Sequence, residues 1–271
     1  MDWLLPEPQN RFNELLAYNA SHRKWTGLIL TGSEITLLPD LPQLAQRARA
    51  SGFEHVRIQT HGMRLASETY CRELVDAGVD EYFVSLTAAD AETHDRITGV
   101  AGSFDKTMEG LENLDRVPGV ATLTNTVVTA ESYRQLPAVV ERIAHLRHLA
   151  QMEFWVYLPM KERDEKNLIA SHLDVQPFLL DAIRLARARG IGAAVKNYPH
   201  CLLGEYQDAL DNGQPKLFVD SRFWSEFARN GFDQCVHRAA CSSKECLGLT
   251  TAYIVRYGWH KDKLSPLPPR A

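Results

Sequence analysis

Four of the five cysteines crowd the end of the chain: Cys201, then Cys235, Cys241 and Cys246 in the spacing Cys-x5-Cys-x4-Cys. Thiolates are soft ligands, and four of them suit an iron–sulfur cluster or a tetrahedral zinc ion. Paired Cys-x2-Cys knuckles, the usual form of a structural zinc site, are absent, which favours iron–sulfur. His200 and His237 adjoin the cysteines and keep zinc open. An odd number of cysteines argues against a disulfide framework. Cys71 stands apart at an apolar helix position and is expected in the core.

A second set of residues is polar and recurs where apolar runs stop. These are Thr31-Gly32-Ser33-Glu34, Gln59-Thr60-His61-Gly62, Ser85 after Val84, and Thr124-Asn125-Thr126. A glycine lets a ligand approach the backbone, and the Glu34 carboxylate suits a ligand ammonium. Small polar residues at four successive strand ends form a rim over an apolar sheet, which fits a sizeable polar ligand lying across it.

The elements that carry these residues follow from periodicity. Short apolar runs begin at Gly27, His55, Glu81, Thr122, Phe154 and Ala193, each short enough for a buried strand. Helical patterns separate them. Leu41, Leu44, Ala45 and Ala48 share one face; Ser67 caps a helix carrying Cys71, Leu74 and Val75; and Phe104, Met108, Leu111 and Leu114 mark another. Ser132 and Gln135 suggest a capping box for Leu136 to Leu146, a helix that would carry His145 and His148 as exposed polarity. Pro177 is expected to open the helix that ends near Gly190. Alternation of strand and helix implies parallel strands with right-handed crossovers, in an open sheet or a full or partial barrel, with ligands at the carboxyl ends of the strands.

Residues 9–22 read as a helix before any strand, so a first strand is expected to be missing. The charge run from Met160 to Lys166 is expected to be a solvated loop. Beyond about residue 199 the alternation stops, and the segment reads as a small metal-organised appendage. Phe223, Trp224 and Phe227 are expected to pack it against the barrel, and the Pro-rich tail from Leu264 is expected to be extended or disordered.

Composition bounds the rest. With 271 residues, 45% hydrophobic and 24% charged, the chain suits one large globular domain or a domain with an appendage. That excludes disordered, collagen-like and coiled-coil classes. A formal charge of -4 gives no basic field for nucleic acid. No apolar stretch approaches the ~18 residues of a spanning helix, and Met1-Asp2-Trp3 does not open a signal peptide. A cytoplasmic location is therefore expected, with no membrane partner.

Taken in order, these stretches resemble the radical S-adenosylmethionine (radical SAM) superfamily. The likeness runs through Leu30-Thr31-Gly32-Ser33-Glu34, Gln59-Thr60-His61-Gly62, Ala77-Gly78-Val79-Asp80 and Val84-Ser85-Leu86. It continues in Thr93-His94-Asp95, Gly102-Ser103-Phe104 and Asn125-Thr126-Val127-Val128. The resemblance implies an α/β fold: a TIM-like partial (β/α)6 barrel over residues 1–198, here lacking its first strand, and a cysteine-rich extension over 199–271. It implies S-adenosylmethionine held by Thr31, Gly32, Ser33, Glu34, Thr60, Ser85 and Asn125, with the Gly32–Glu34 turn on the methionine amino group. Ser33 stands where the family has a second glycine, Ile35 where it has proline, and His61 where asparagine is common.

The family's Cys-x3-Cys-x2-Cys loop, which holds the [4Fe–4S] cluster that cleaves the cofactor, has no counterpart before the first helix. A chain that lacks its true start is the expectation. A degenerate binding protein, or one keeping only a redox function, are the alternatives, beside a zinc-stabilised barrel enzyme. The tail is similar to extensions that carry an auxiliary [4Fe–4S] cluster, here on Cys201, Cys235, Cys241 and Cys246. The implied activity is reductive cleavage of S-adenosylmethionine to a 5′-deoxyadenosyl radical, which abstracts hydrogen from a small-molecule or peptide substrate. A flavodoxin or ferredoxin is the implied reductant. A second [4Fe–4S] cluster is implied only if the three-cysteine loop exists in a longer chain.

Overall fold

The computed structural model describes residues 9–159, 162–216 and 222–269. Helix α1 (Gln9–His22) precedes the first strand, as its pattern predicts. Then follow β1 (Gly27–Leu30), α2 (Leu41–Ala50), β2 (His55–Thr60), α3 (Glu68–Asp76), β3 (Glu81–Ser85), α4 (Ala91–Thr98) and α5 (Ser103–Asp115). Strand β4 (Ala121–Val128), α6 (Leu136–Ile143), β5 (Leu149–Val156), α7 (His172–Ala188) and β6 (Gly192–Lys196) complete the alternation, and α8 (Arg222–Ala228) and α9 (Thr251–Tyr257) follow. The strands form one open parallel sheet in the order β1-β2-β3-β4-β5-β6, the architecture of a partial TIM-like barrel. The described residues group into two compact units, 9–125 with 142–152, and 126–141 with 153–269.

In the first unit, one face of each strand is apolar and covered. Val56, Ile58, Tyr82 and Val84 are fully buried, as are Leu41, Ala45 and Ala48 of α2 and Cys71 and Leu74 of α3. The Cys71 thiol donates to the Leu65 carbonyl at 3.0 Å, and burial pushes it up to about 12, so it is an inert core group. The other strand face is polar: Arg57 pairs with Glu81 at 2.8 Å and Gln59 accepts from the Thr31 hydroxyl.

Helix α5 sets the turn after β2. Asp95, at the end of the Thr-His-Asp stretch, accepts from the Gly102 amide, the Ser103 hydroxyl and the Phe104 amide at 2.6, 2.8 and 2.9 Å, tying down the start of α5. The Phe104 amide leads the interactions that hold the Asp95 carboxyl below its ordinary range. Further along α5, Thr107 donates to the His61 carbonyl, and the Asn113 amide donates to the Leu65 and Ala66 carbonyls. Helix and turn approach so closely that a Cβ on Gly110 would lie 2.6 Å from the Gly62 oxygen.

The second unit departs from the sequence reading in several places. Ser132 does not cap a helix with its side chain; its hydroxyl donates to the Val127 carbonyl and accepts from the Thr129 amide. Helix α6 stops at Ile143, so His145 and His148 lie beyond it. Helix α7 starts five residues before Pro177, because Ser171 caps it through the Asp174 amide. Asp164 is buried rather than solvated, accepting from the Leu168 and Ile169 amides and pairing with Arg256 at 3.0 Å; Met160 and Lys161 of that charge run lie outside the described residues. No residue of α8 is buried. Phe223, Trp224 and Phe227 pack on one another, and Phe227 on Phe232.

Candidate functional site

The Gly-Ser-Glu turn leaves β1 and runs into a single 3₁₀ turn, Ile35–Leu37, capped by Glu34. Thr31, Gly32 and Ser33 are exposed, whereas the Glu34 side chain is only 7% exposed. Its Oε1 accepts from the Thr36 amide at 3.1 Å, the Thr36 hydroxyl at 2.5 Å and the Thr60 hydroxyl at 2.6 Å. Its Oε2 accepts from the His61 amide at 2.9 Å and lies 3.2 Å from His61 Nε2. Burial alone would raise the Glu34 carboxyl. The donors from Thr36, Thr60 and His61 outweigh it and hold the group below its ordinary value. Two strand ends, β1 and β2, are thus locked together through one carboxylate.

Beyond them, Ser85 at the end of β3 lies in register with Asn125 of β4, and the Leu86 amide donates to the Asn125 carbonyl. Asn125 is buried, and its Oδ1 has no hydrogen-bond partner among the described residues. A buried acceptor left without a donor costs free energy unless a ligand or water meets it. The set therefore fits S-adenosylmethionine in kind: an anionic oxygen pair for its ammonium, an unmet acceptor for a hydroxyl, and exposed backbone at Gly32–Ser33.

The four C-terminal cysteines have a different environment from Cys71. Each sulfur accepts a backbone N–H: Cys201 from Ser265, Cys235 from His237 at 3.4 Å, Cys241 from Leu267 at 3.4 Å, and Cys246 from both His200 at 3.5 Å and Gly248 at 3.4 Å. Acceptance from residue i+2, at Cys235 and Cys246, turns the backbone around the sulfur. A short antiparallel pairing, Leu249 to Gln234, brackets the segment between those two cysteines. Gly248 runs so close to it that a Cβ would sit 3.0 Å from the Gln234 backbone, at a φ of +64°. Burial raises the Cys201 thiol, the Ser265 amide offsets this, and the nearby Cys246 and Cys235 raise it further.

Among the described residues no three His, Cys, Asp or Glu side chains are gathered as a single ion requires; four thiolates on one zinc would lie about 3.8 Å apart. Both His200 nitrogens are engaged, Nε2 donating to the Gln207 carbonyl and Nδ1 accepting from the Ser243 hydroxyl. His237 Nε2 bonds the Lys261 carbonyl. The donor chemistry is that of thiolates.

Sequence reasoning did not reach Thr36, Ser265 or Leu267. Thr36 and His61 complete the Glu34 site, and the Glu-x-Thr spacing was a usable signal for the first. The Ser265 and Leu267 amides come from a tail read as extended or disordered; it is extended, with Leu264 buried and Ser242 hydrogen-bonded to Leu267 and Pro268.

Comparison with known proteins gives this geometry its context. The family model of the Radical SAM superfamily matches residues 6–143. A probable GTP 3′,8-cyclase of Methanopyrus kandleri is 33% identical over 120 residues, 44% of this chain and 38% of that protein. An AdoMet-dependent heme synthase of Methanosarcina barkeri is 31% identical over 143 residues, 53% of this chain and 40% of that one. The chain thus aligns with less than half the length of these relatives. Among solved structures, native anSMEcpe with bound AdoMet shares the fold at a TM-score of 0.56 and 17% identity, covering 69% of this chain and 54% of that one. Coproporphyrinogen III oxidase of Escherichia coli does so at 0.50 and 13%, covering 67% and 46%. No helix among the described residues is long and apolar enough to cross a membrane. The order of strand-end residues, the parallel sheet that presents them and the matched family model lead to one conclusion: this chain belongs to the radical SAM superfamily.

Proposed function

We propose that this chain is the S-adenosylmethionine-binding barrel of a radical enzyme of the cytoplasm, with an auxiliary [4Fe–4S] cluster on Cys201, Cys235, Cys241 and Cys246. When bound beside a reduced [4Fe–4S] cluster, S-adenosylmethionine supplies a 5′-deoxyadenosyl radical that takes hydrogen from a substrate. This chain's residues bind and orient. Thr31 to Glu34 and Thr60 line the turn for the methionine amino group, and Ser85 and Asn125 face the ribose and carboxylate. The substrate is a small molecule or peptide, and a flavodoxin or ferredoxin delivers the electron. The observation that carries the cofactor reading is the buried, unmet Oδ1 of Asn125, the residue in register with Ser85. The observation behind the auxiliary cluster is a backbone N–H on every one of the four sulfurs.

Cleavage needs three further thiolates, and no cysteine precedes Cys71. In-frame codons upstream of Met1 that spell the three-cysteine loop would support the enzyme. A stop codon directly upstream, with no such loop, would sink it for this chain. Anaerobic reconstitution with iron and sulfide tests the tail: the expected result is four irons per chain with absorption near 400 nm (roughly the iron–sulfur charge-transfer region). One equivalent of zinc and no such band would overturn it.

A further inference from the structure

We infer that His61 is a built-in competitor for the Glu34 carboxylate, and that displacing its ring is part of binding an α-amino-acid headgroup. This rests on the reading of the Glu34 turn as the cofactor site. A carboxylate offers about four lone-pair positions, and Glu34 already meets donors from Thr36, Thr60 and His61. The Thr36 and His61 amides and the two threonine hydroxyls are set by the 3₁₀ turn and by the end of β2, and they cannot withdraw without unfolding both. The ring is different. It makes the longest of the five contacts, 3.2 Å, and its side chain is 37% exposed against 7% for Glu34, so it can swing out. An ammonium reaching Glu34 must take the Oε2 position that the ring occupies.

The ring's own partners define what is exchanged. Nδ1 accepts from the Met63 amide at 3.2 Å, so Nε2 carries the hydrogen and points to Oε2. Binding therefore replaces a neutral imidazole N–H with a cationic ammonium, which meets the carboxylate charge directly and makes the stronger contact. The same contacts show how to separate the ring's two jobs. Asparagine at this position keeps a side-chain acceptor for the amide two residues on, as in an Asx turn. Its shorter side chain ends before the place that Nε2 fills.

The test is calorimetric titration of S-adenosylmethionine into the purified chain and its His61→Asn and His61→Ala variants. A desamino analogue, which lacks the ammonium, is titrated in parallel. Removing the competing ring should tighten S-adenosylmethionine by about three- to tenfold in His61→Asn. The analogue should bind both proteins equally. His61→Ala should also tighten the cofactor while melting lower, because the Met63 amide loses its acceptor. In the wild-type chain, the ring ¹⁵N signals of His61 should report loss of the Nε2 contact with Glu34 on adding S-adenosylmethionine. Wild-type binding with no tightening in either folded variant, or an undisturbed ring signal, overturns the role of His61 alone. Absence of S-adenosylmethionine binding in all three proteins overturns the cofactor reading, and this inference with it.

Discussion

Two regions of the molecule hold anionic or anion-forming groups, and they hold them differently. At the Glu34 turn, donors from two backbone amides, two hydroxyls and a ring converge on the two oxygens of one carboxylate. In the cysteine segment, backbone amides alone are shared among four sulfurs, one each for Cys201, Cys235 and Cys241 and two for Cys246. The carboxylate is complete without a ligand, so it stabilises the protein by itself and a ligand must displace something. The sulfurs keep most of their lone pairs, and the half-buried Cys201 thiol is raised by burial and further by the nearby Cys246 and Cys235. A cationic metal centre would relieve that, so on the proposed reading the ligand completes this site.

The most damaging way to probe the contrast is Cys246→Ser. It removes the sulfur that takes two amides, and iron retained after reconstitution should fall from four per chain to near zero, whereas Cys71→Ser should leave it unchanged. Calorimetric binding of S-adenosylmethionine should be the same in both variants; if Cys246→Ser abolished it, the two sites would not be separable. Glu34→Gln comes next. A carboxamide turns an NH₂ toward converging donors and leaves at least one buried group unpaired, so unfolding free energy from denaturant titration should drop by about 2 kcal/mol or more.

Acid should separate the two units as well. His172, at the start of α7, is fully buried, stacked on Tyr253, and burial with the nearby His260 charge pushes it down to about 3. Its folded value is depressed, so the stability it contributes is present above the ordinary histidine value and lost as pH falls below it. Hydrogen exchange of α7 should report about 2 kcal/mol lost between pH 6.5 and 4.5. Glu34 is also depressed, from 4.5, so the turn it holds should weaken only as pH falls below about that value. Simultaneous loss in both units near pH 6 would break the distinction. Asn125→Ala should have the smallest effect on the protein. Its Oδ1 meets no partner, so the melting temperature should barely move while S-adenosylmethionine binding weakens by about five- to tenfold.

The sequence made the alternation legible because the β-branched runs and the helix faces of Leu41, Ala45, Ala48, Leu111 and Leu114 repeat locally, and local pattern is what a chain displays. The residues after β1 and at the ends of β2 and β3 were legible for the same reason, since each sits where an apolar run stops; Asn125 instead lies inside β4. What stayed hidden depends on distant partners. Nothing near Asp164 announces Arg256, and nothing near Cys201 announces Ser265. Pro177 misled because its fixed φ favours a helix start, while the Ser171 cap upstream decided the matter. Ser132 followed the capping-box pattern, but its hydroxyl turned back to the Thr129 turn instead. Glu34 was legible as the one acid of its turn. Its orientation was beyond reach, because it is set by Thr60 and His61 at the end of another strand.

The seat of the tail on the sulfurs has a consequence in time. Cys201, Cys235, Cys241 and Cys246 leave the ribosome before Ser265 and Leu267, so during synthesis two of the four sulfurs wait for amides that do not yet exist. Were a metal centre held there, the Ser265 and Leu267 amides would be the last partners of its sulfurs to arrive.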